Sequence, residues 1–402
     1  MSPKSQTIMP NLCDDVMLHL LTFIPNESAL LFNCQLVCKL FKVNLQTRIK
    51  EKLWKKVEEI VGKEKCEGLR NNTLKDLYIT APDKRFVSVD VKCLAAMLKE
   101  NTSVIKLGFD QRQKFDYNGA IQIAEILKMG STLQELDLGS CQIGDDATLR
   151  ICEVLKWNKT LKTLILTGSY WYIGAKYVAE MLKVNSCLEY LLLNENGIDD
   201  NEATLIASAL KYNSTLKDLC LCVNNIGIKG MQSLARALKV NKSLENLDLG
   251  GQNDNSIVGN KGIEAFARTL KVNSTLKELN FWCSNISDAG VKAMALALKG
   301  NTSLEKLSLR YNNTGIKGAK ALAQTLKVNN TLQEIDLYDN LIQNEGALAI
   351  GESLKINNTF KKIILGEEGN CDEKNINYIS EHVKTYLINE CQREGLVINL
   401  DW

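Results

Sequence analysis

The residues that could carry chemistry in this chain are few and far apart. Histidine occurs twice, at His19 and His382, near the two ends of 402 residues. A Ser/His/Asp or Cys/His arrangement needs its imidazole beside the nucleophile, so neither can be built within the long stretch between them. No Gly-rich loop ending in Gly-Lys-[Ser/Thr] occurs, which removes a familiar cradle for nucleotide phosphates. The thirteen cysteines are odd in number and irregularly spaced, and several stand where sister segments carry apolar residues or Asn. Reduced thiols are expected. Cys220-Leu-Cys222 would put two thiols on neighbouring same-face strand positions, open to oxidation or a soft metal, but no second Cys pair and almost no His accompany it. No catalytic residue, cofactor or metal is therefore expected.

What the chain does repeat is a phrase, Leu-Lys-x-Asn-x-[Ser/Thr]-Leu-x-x-Leu-x-Leu. The residue opening its second half falls at Val104, Leu133, Leu161, Leu188, Leu216, Leu244, Leu276, Leu304, Leu332 and Phe360. Successive differences are 29, 28, 27, 28, 28, 32, 28, 28 and 28. A near-constant period of this length with Leu at these spacings predicts a leucine-rich-repeat solenoid. Leu133, Leu136 and Leu138 end in a period of 2, so a short strand turns one face into the core. Met231, Leu234, Ala235 and Leu238 then follow helical spacing. Neither half can bury its apolar side alone, so the units must stack into an α/β solenoid, a curved parallel sheet with helices outside.

The Asn that closes each helix recurs at 101, 158, 185, 213, 241, 273, 301, 329 and 357, with Gly130 as the exception. Asn and Gly share tolerance for positive φ, so this position is expected to be the left-handed residue that ends the helix. On that expectation Asn241→Gly is neutral. Eight of these Asn lie in Asn-x-[Ser/Thr] triplets, but the helix-end role already accounts for them without glycosylation.

A formal net charge of +2 with no basic block argues against a nucleic-acid partner. The run Lys50-Glu-Lys-Leu-Trp-Lys-Lys56 fits the wet face of an amphipathic helix. The chain opens on polar residues and has no run near the roughly 20 apolar residues of a membrane span, so no membrane partner and a cytoplasmic or nuclear location are expected.

The first 60 residues follow another pattern. Val16, Leu20, Phe23 and Ile24 form a helical stripe ended by Pro25. Ser28 is a good cap for a second helix burying Leu31, Cys34 and Val37, and Leu40, Phe41, Leu45 and Trp54 supply a third apolar set. Leu12-Cys-Asp-Asp-Val-Met-Leu-His-Leu-Leu-Thr-Phe-Ile-Pro25 and Leu36-Val-Cys-Lys-Leu-Phe41 together resemble the F-box, with Cys13, Asp15 and Phe41 where that family prefers Pro, Glu and Trp. An F-box ahead of leucine-rich repeats resembles the substrate receptors of Skp/cullin/F-box ubiquitin ligases. The resemblance implies that Leu12, Val16, Leu20, Pro25, Leu36 and Val37 bind a Skp-type adaptor and, through it, cullin. The repeats would then hold a target protein near the ubiquitin-loaded enzyme, raising its effective concentration without bond chemistry of their own.

The expected organisation is an all-α F-box-like module over 8–56, a linker and N-terminal cap or degenerate repeat over 57–103, repeats over 104–366 and a C-terminal helical cap over 367–402. Leu74-Lys-Asp-Leu-Tyr-Ile79 copies the strand phrase, yet Ala81-Pro-Asp-Lys-Arg85 interrupts it, which favours linker plus cap. Counting the strand-opening residue as position 1, positions 3, 5 and 7 point out of the concave sheet, and acidic residues outnumber basic ones there. Target binding is expected at Tyr190, Trp282, Arg310 and Tyr338, the last three being an exposed stripe at position 7, because aromatics and Arg dominate interface energetics. Tyr170 and Tyr172 flank Trp171 in a loop on the same edge as the four-residue expansion within Gly250–Gly259, and join the expected rim. The repeat class is also similar to ribonuclease inhibitor and the Ran GTPase-activating protein. That likeness leaves a GTPase regulator acting through Arg112, or a stand-alone scaffold, as alternatives.

Overall fold

A computed structural model describes residues 50–79, 88–98, 100–109, 117–128, 132–141, 143–168, 174–252, 258–366, 379–391 and 394–400. The chain forms two units, Met1–Glu59 and Ile60–Trp402. The described residues of the first, 50–59, are helical.

The second unit is a single sheet of twelve parallel strands in sequence order, β1 to β12, among the described residues. They are β1 Asp76–Ile79, β2 Lys106–Phe109, β3 Glu135–Asp137, β4 Thr163–Ile165, β5 Tyr190–Leu192, β6 Asp218–Cys220, β7 Asn246–Asp248, β8 Glu278–Asn280, β9 Lys306–Ser308, β10 Glu334–Asp336, β11 Lys362–Ile364 and β12 Val397–Asn399. A helix separates each strand from the next, as in Ile228–Leu238 between β6 and β7. This is the leucine-rich-repeat solenoid that the period demands. Register follows the Leu pattern: Leu191, Leu219 and Leu247 pair across β5, β6 and β7. Leu216, Leu219 and Leu221 are fully buried, and so are Met231, Leu234, Ala235 and Leu238 on the helix. Each buried Leu is worth about 2 kcal/mol, which chain ordering largely offsets. Stacking of many units is what makes the sum favourable.

The ends extend further than the repeat phrase. Asp76–Ile79, in the segment read as linker and cap, pairs in register with Lys106–Phe109 as the first strand. At the other end the helix Glu381–Cys391 covers part of the expected helical cap, and Val397–Asn399 then adds a strand beside β11.

The helix-closing Asn does something other than expected. None of the nine has positive φ. Eight are buried, at Asn158, Asn185, Asn213, Asn241, Asn273, Asn301, Asn329 and Asn357. Each side chain bridges two repeats. Asn241 Nδ2 donates to Leu210 O (2.7 Å) and Asn213 O (3.0 Å), while its Oδ1 accepts from Ser243 N (3.0 Å) and Leu244 N (2.8 Å). The same Nδ2 bond to the preceding helix end recurs from Asn101 to Asn357, for example Asn329 to Leu298 O at 2.6 Å. The residue is kept for its amide, which satisfies an orphan helix carbonyl and two strand-entry N–H groups at once. Gly130 lies outside the described residues.

Positive φ falls instead at position 8, just after the strands β3 to β10. Ser140, Glu195, Val223, Cys283, Tyr311 and Asp339 have φ of 50–60°, and Gly168 and Gly251 have 66° and 63°. A second amide ladder follows at position 9. Asn224 Nδ2 donates to Leu193 O (3.0 Å), and its Oδ1 accepts from Asn196 N and Ile198 N, each at 3.0 Å. Asn196, Gln252, Asn312 and Asn340 donate in the same way to Leu166, Leu221, Phe281 and Leu309.

Candidate protein-interaction face

Because positions 4 and 6 enter the core, positions 3 and 5 of successive strands line the open face of the sheet, the face away from the helices. Asp218, Cys220, Asn246, Asp248, Asn280, Ser308 and Asp336 line a trough of about 430 Å³ on it.

The glutamates expected there are answered by lysines one strand away. Lys106 pairs with Glu135 (3.0 Å), Lys362 with Glu334 (2.8 Å), and Lys306 with Glu278. At position 2, Glu189 takes Lys162 (2.7 Å) and Lys217 (2.6 Å), whose bonds hold its carboxyl below the usual range. These pairs are solvent-exposed and salt-screened, so they set register and charge pattern more than stability. The aspartates differ. Burial pushes the carboxyls of Asp137, Asp218, Asp248 and Asp336 upward, partly opposed by hydrogen bonds such as Gly250 N to Asp248 Oδ1 (3.0 Å).

Arg310 lies between two rings, its Cζ 4.7 Å from the Tyr311 centroid and 4.2 Å from that of Tyr338, and its Nη2 donates to Tyr311 Oη at 3.1 Å. The rings meet edge-on at 5.6 Å. Such stacking holds the guanidinium in place and leaves it half-buried. Tyr338, expected to be exposed, is only 4% exposed, because Arg310 and Tyr311 close over it. The expected exposed stripe of three is therefore corrected: Trp282 and Arg310 are half-buried, and Tyr338 is buried.

Trp282 is half-buried for a related reason. A Cβ at Gly250 would stand 2.1 Å from its Cδ1, and one at Gly251 would stand 2.4 Å from its Cη2. The indole thus lies on the Gly250–Gly251 backbone, and the glycines that open the four-residue expansion make room for it. Gly251 also requires its left-handed φ of 63°. Tyr190 stands apart on β5 with 41% exposure.

Two aromatic residues on this side escaped the sequence reading. Tyr311 carries the Arg310 clamp, and Tyr78 on β1 is 42% exposed, its ring occupying the space over Gly108. Leu74-Lys-Asp-Leu-Tyr-Ile79 held the signal for Tyr78, at position 5 of a strand phrase. Nothing in residue type marks Tyr311.

Leu12, Val16, Leu20, Pro25, Leu36 and Val37 lie outside the described residues, as do Tyr170, Tyr172, Arg112 and residues 253–257 of the expanded loop. Among the described residues no helix is long and apolar enough to cross a membrane.

Comparison with family models finds the same repeat. A family model described as Leucine Rich repeat matches residues 131–150, 272–295, 300–323 and 328–351, so these segments are leucine-rich repeats. The chain is similar to NACHT, LRR and PYD domains-containing protein 12 of Mus musculus, with 38% identity over 89 residues. That match spans 21% of this chain and 8% of the mouse protein. Among solved structures it is similar to the yeast Rad7 and Elc1 complex (16% identity, TM-score 0.46, covering 93% of this chain and 98% of that one). It is also similar to the leucine-rich repeat-containing protein LegL7 from Legionella pneumophila (14% identity, TM-score 0.46, covering 80% and 100%).

Proposed function

We propose that this leucine-rich-repeat chain is the substrate-recognition subunit of a Skp/cullin/F-box ubiquitin ligase. In this role the N-terminal segment docks a Skp-type adaptor, and through it cullin, while the open sheet face holds a target protein. The observation that carries the reading is the pair of F-box-like phrases, Leu12 to Pro25 and Leu36 to Phe41, N-terminal in sequence to a repeat sheet. The face adds support through Trp282 and Arg310, each held by its neighbours before any partner arrives, so little side-chain entropy is lost on binding. The chain contributes positioning to ubiquitin transfer, and the bond chemistry belongs to the enzyme on the cullin.

Calorimetric titration of the full chain with a purified Skp-type adaptor tests this. One-to-one binding is expected for the wild type. Leu20→Asp and Val37→Asp should each weaken it at least tenfold, since a carboxylate in a helical interface costs several kcal/mol unless paired. The circular dichroism of the repeats should stay unchanged. Equal binding by all three proteins, or binding by none, would remove the F-box from the proposal and leave a protein-interaction scaffold.

A further inference from the structure

We propose that Cys220, Cys222 and Asp248 form a binding site for one zinc-like divalent ion on the open face of the sheet. The two Sγ atoms lie 3.3 Å apart, and these sulfurs and a carboxylate oxygen of Asp248 all stand within 4.8 Å of one another. With Zn–S bonds of about 2.3 Å in tetrahedral geometry, two sulfurs on one ion stand roughly 3.8 Å apart. The thiols therefore need to open by only a few tenths of an ångström, a rotation that two half-buried side chains, Cys220 lining the trough, can make.

The fold brings the three together. Positions 5 and 7 of β6 and its exit put both thiols on one face, and register Cys220↔Asp248 sets the carboxylate directly alongside. Asp248 is already aimed, since its Oδ1 accepts from Gly250 N (3.0 Å) and its Oδ2 from Asn280 Nδ2 (3.1 Å). Carboxylate ligands are commonly fixed by such partners. The other described cysteines lie elsewhere: Cys66, Cys93, Cys141, Cys152, Cys187 and Cys391 are buried, and Cys283 is exposed.

Donor chemistry selects the ion. Two thiolates favour a soft or borderline cation, and a carboxylate as third ligand favours Zn²⁺ over Cu⁺. Binding releases the thiol protons to solvent and forms two metal–sulfur bonds and one metal–oxygen bond. Three protein ligands leave a fourth position facing the trough, open to water or to a donor atom from a bound partner.

The test uses the full chain, reduced with a phosphine that does not compete for metal. Cd²⁺ is titrated while thiolate-to-metal charge-transfer absorption is followed, and Zn²⁺ is measured by competition with a chromophoric chelator. One ion per chain is expected. Cys220→Ser and Cys222→Ser should each weaken binding at least 100-fold, Asp248→Asn about tenfold, and Cys283→Ser not at all, with circular dichroism confirming that every variant folds. Absence of the charge-transfer band in the wild type, or its survival in either thiol variant, would overturn the site.

Discussion

At the scale of single residues, the buried asparagines decide how one repeat is joined to the next. Asn241 serves four backbone groups, Leu210 O, Asn213 O, Ser243 N and Leu244 N. Removing its amide leaves several of them buried without partners, at a cost of about 1–3 kcal/mol per unsatisfied group. Asn241→Gly and Asn241→Val should therefore both destabilise the protein, by about 2–4 kcal/mol, seen as a lower urea midpoint. A Gly variant with the wild-type midpoint would return the position to a left-handed helix end. The sequence made the recurrence of this Asn plain but hid its reason, because two physical roles, positive φ and a bridging amide, select the same residue type. Arg310 shows the converse. Its type and place at position 7 were legible, whereas its clamp depends on Tyr311, whose φ of 54° is imposed by the turn and left no mark in the sequence. The exposure of Tyr338 was misjudged for the same reason.

At the scale of the element, strand and helix are written in the Leu and Ala spacing, but the turn between them is not. Position 8 takes a left-handed backbone whether it holds Gly, Ser, Glu, Val, Cys, Tyr or Asp. The sheet's continuing ladder enforces this, as Val223 N bonding Gly250 O at 2.9 Å illustrates. A β-branched residue is strained there by roughly 1–2 kcal/mol. Val223→Gly relieves the strain but loses a half-buried side chain and some unfolded-state restriction, so the effects nearly cancel and a net change within about 0.5 kcal/mol is expected in urea unfolding. A marked loss of stability would show that Val223 packing outweighs its backbone strain. The added strand Val397–Asn399 was missed because its phrase has drifted from the repeat consensus, while its register with Lys362–Ile364 comes from the stacked neighbour.

At the scale of the whole molecule, the repeats form one sheet whose helix side is committed to the core and whose other side is left for a partner. The period alone made this architecture readable, since units that cannot bury their apolar faces alone have one way to associate. The open face was readable by position and less so by character, because the neutralising lysines come from adjacent strands. Two separable docking functions follow from the proposed receptor role, one at the N-terminal segment and one on the sheet. The most direct measurement is quantitative mass spectrometry of proteins co-purifying from cells with three forms of the full chain: wild type, Leu20→Asp, and a Tyr190→Ala, Trp282→Ala, Arg310→Ala triple variant. Leu20→Asp should lose the Skp-type adaptor and cullin at least tenfold while keeping a set of target proteins. The triple variant should keep adaptor and cullin and lose that set. If both variants lose the same proteins, or neither loses any, the chain is not a receptor that joins an adaptor at one end to a target on its sheet.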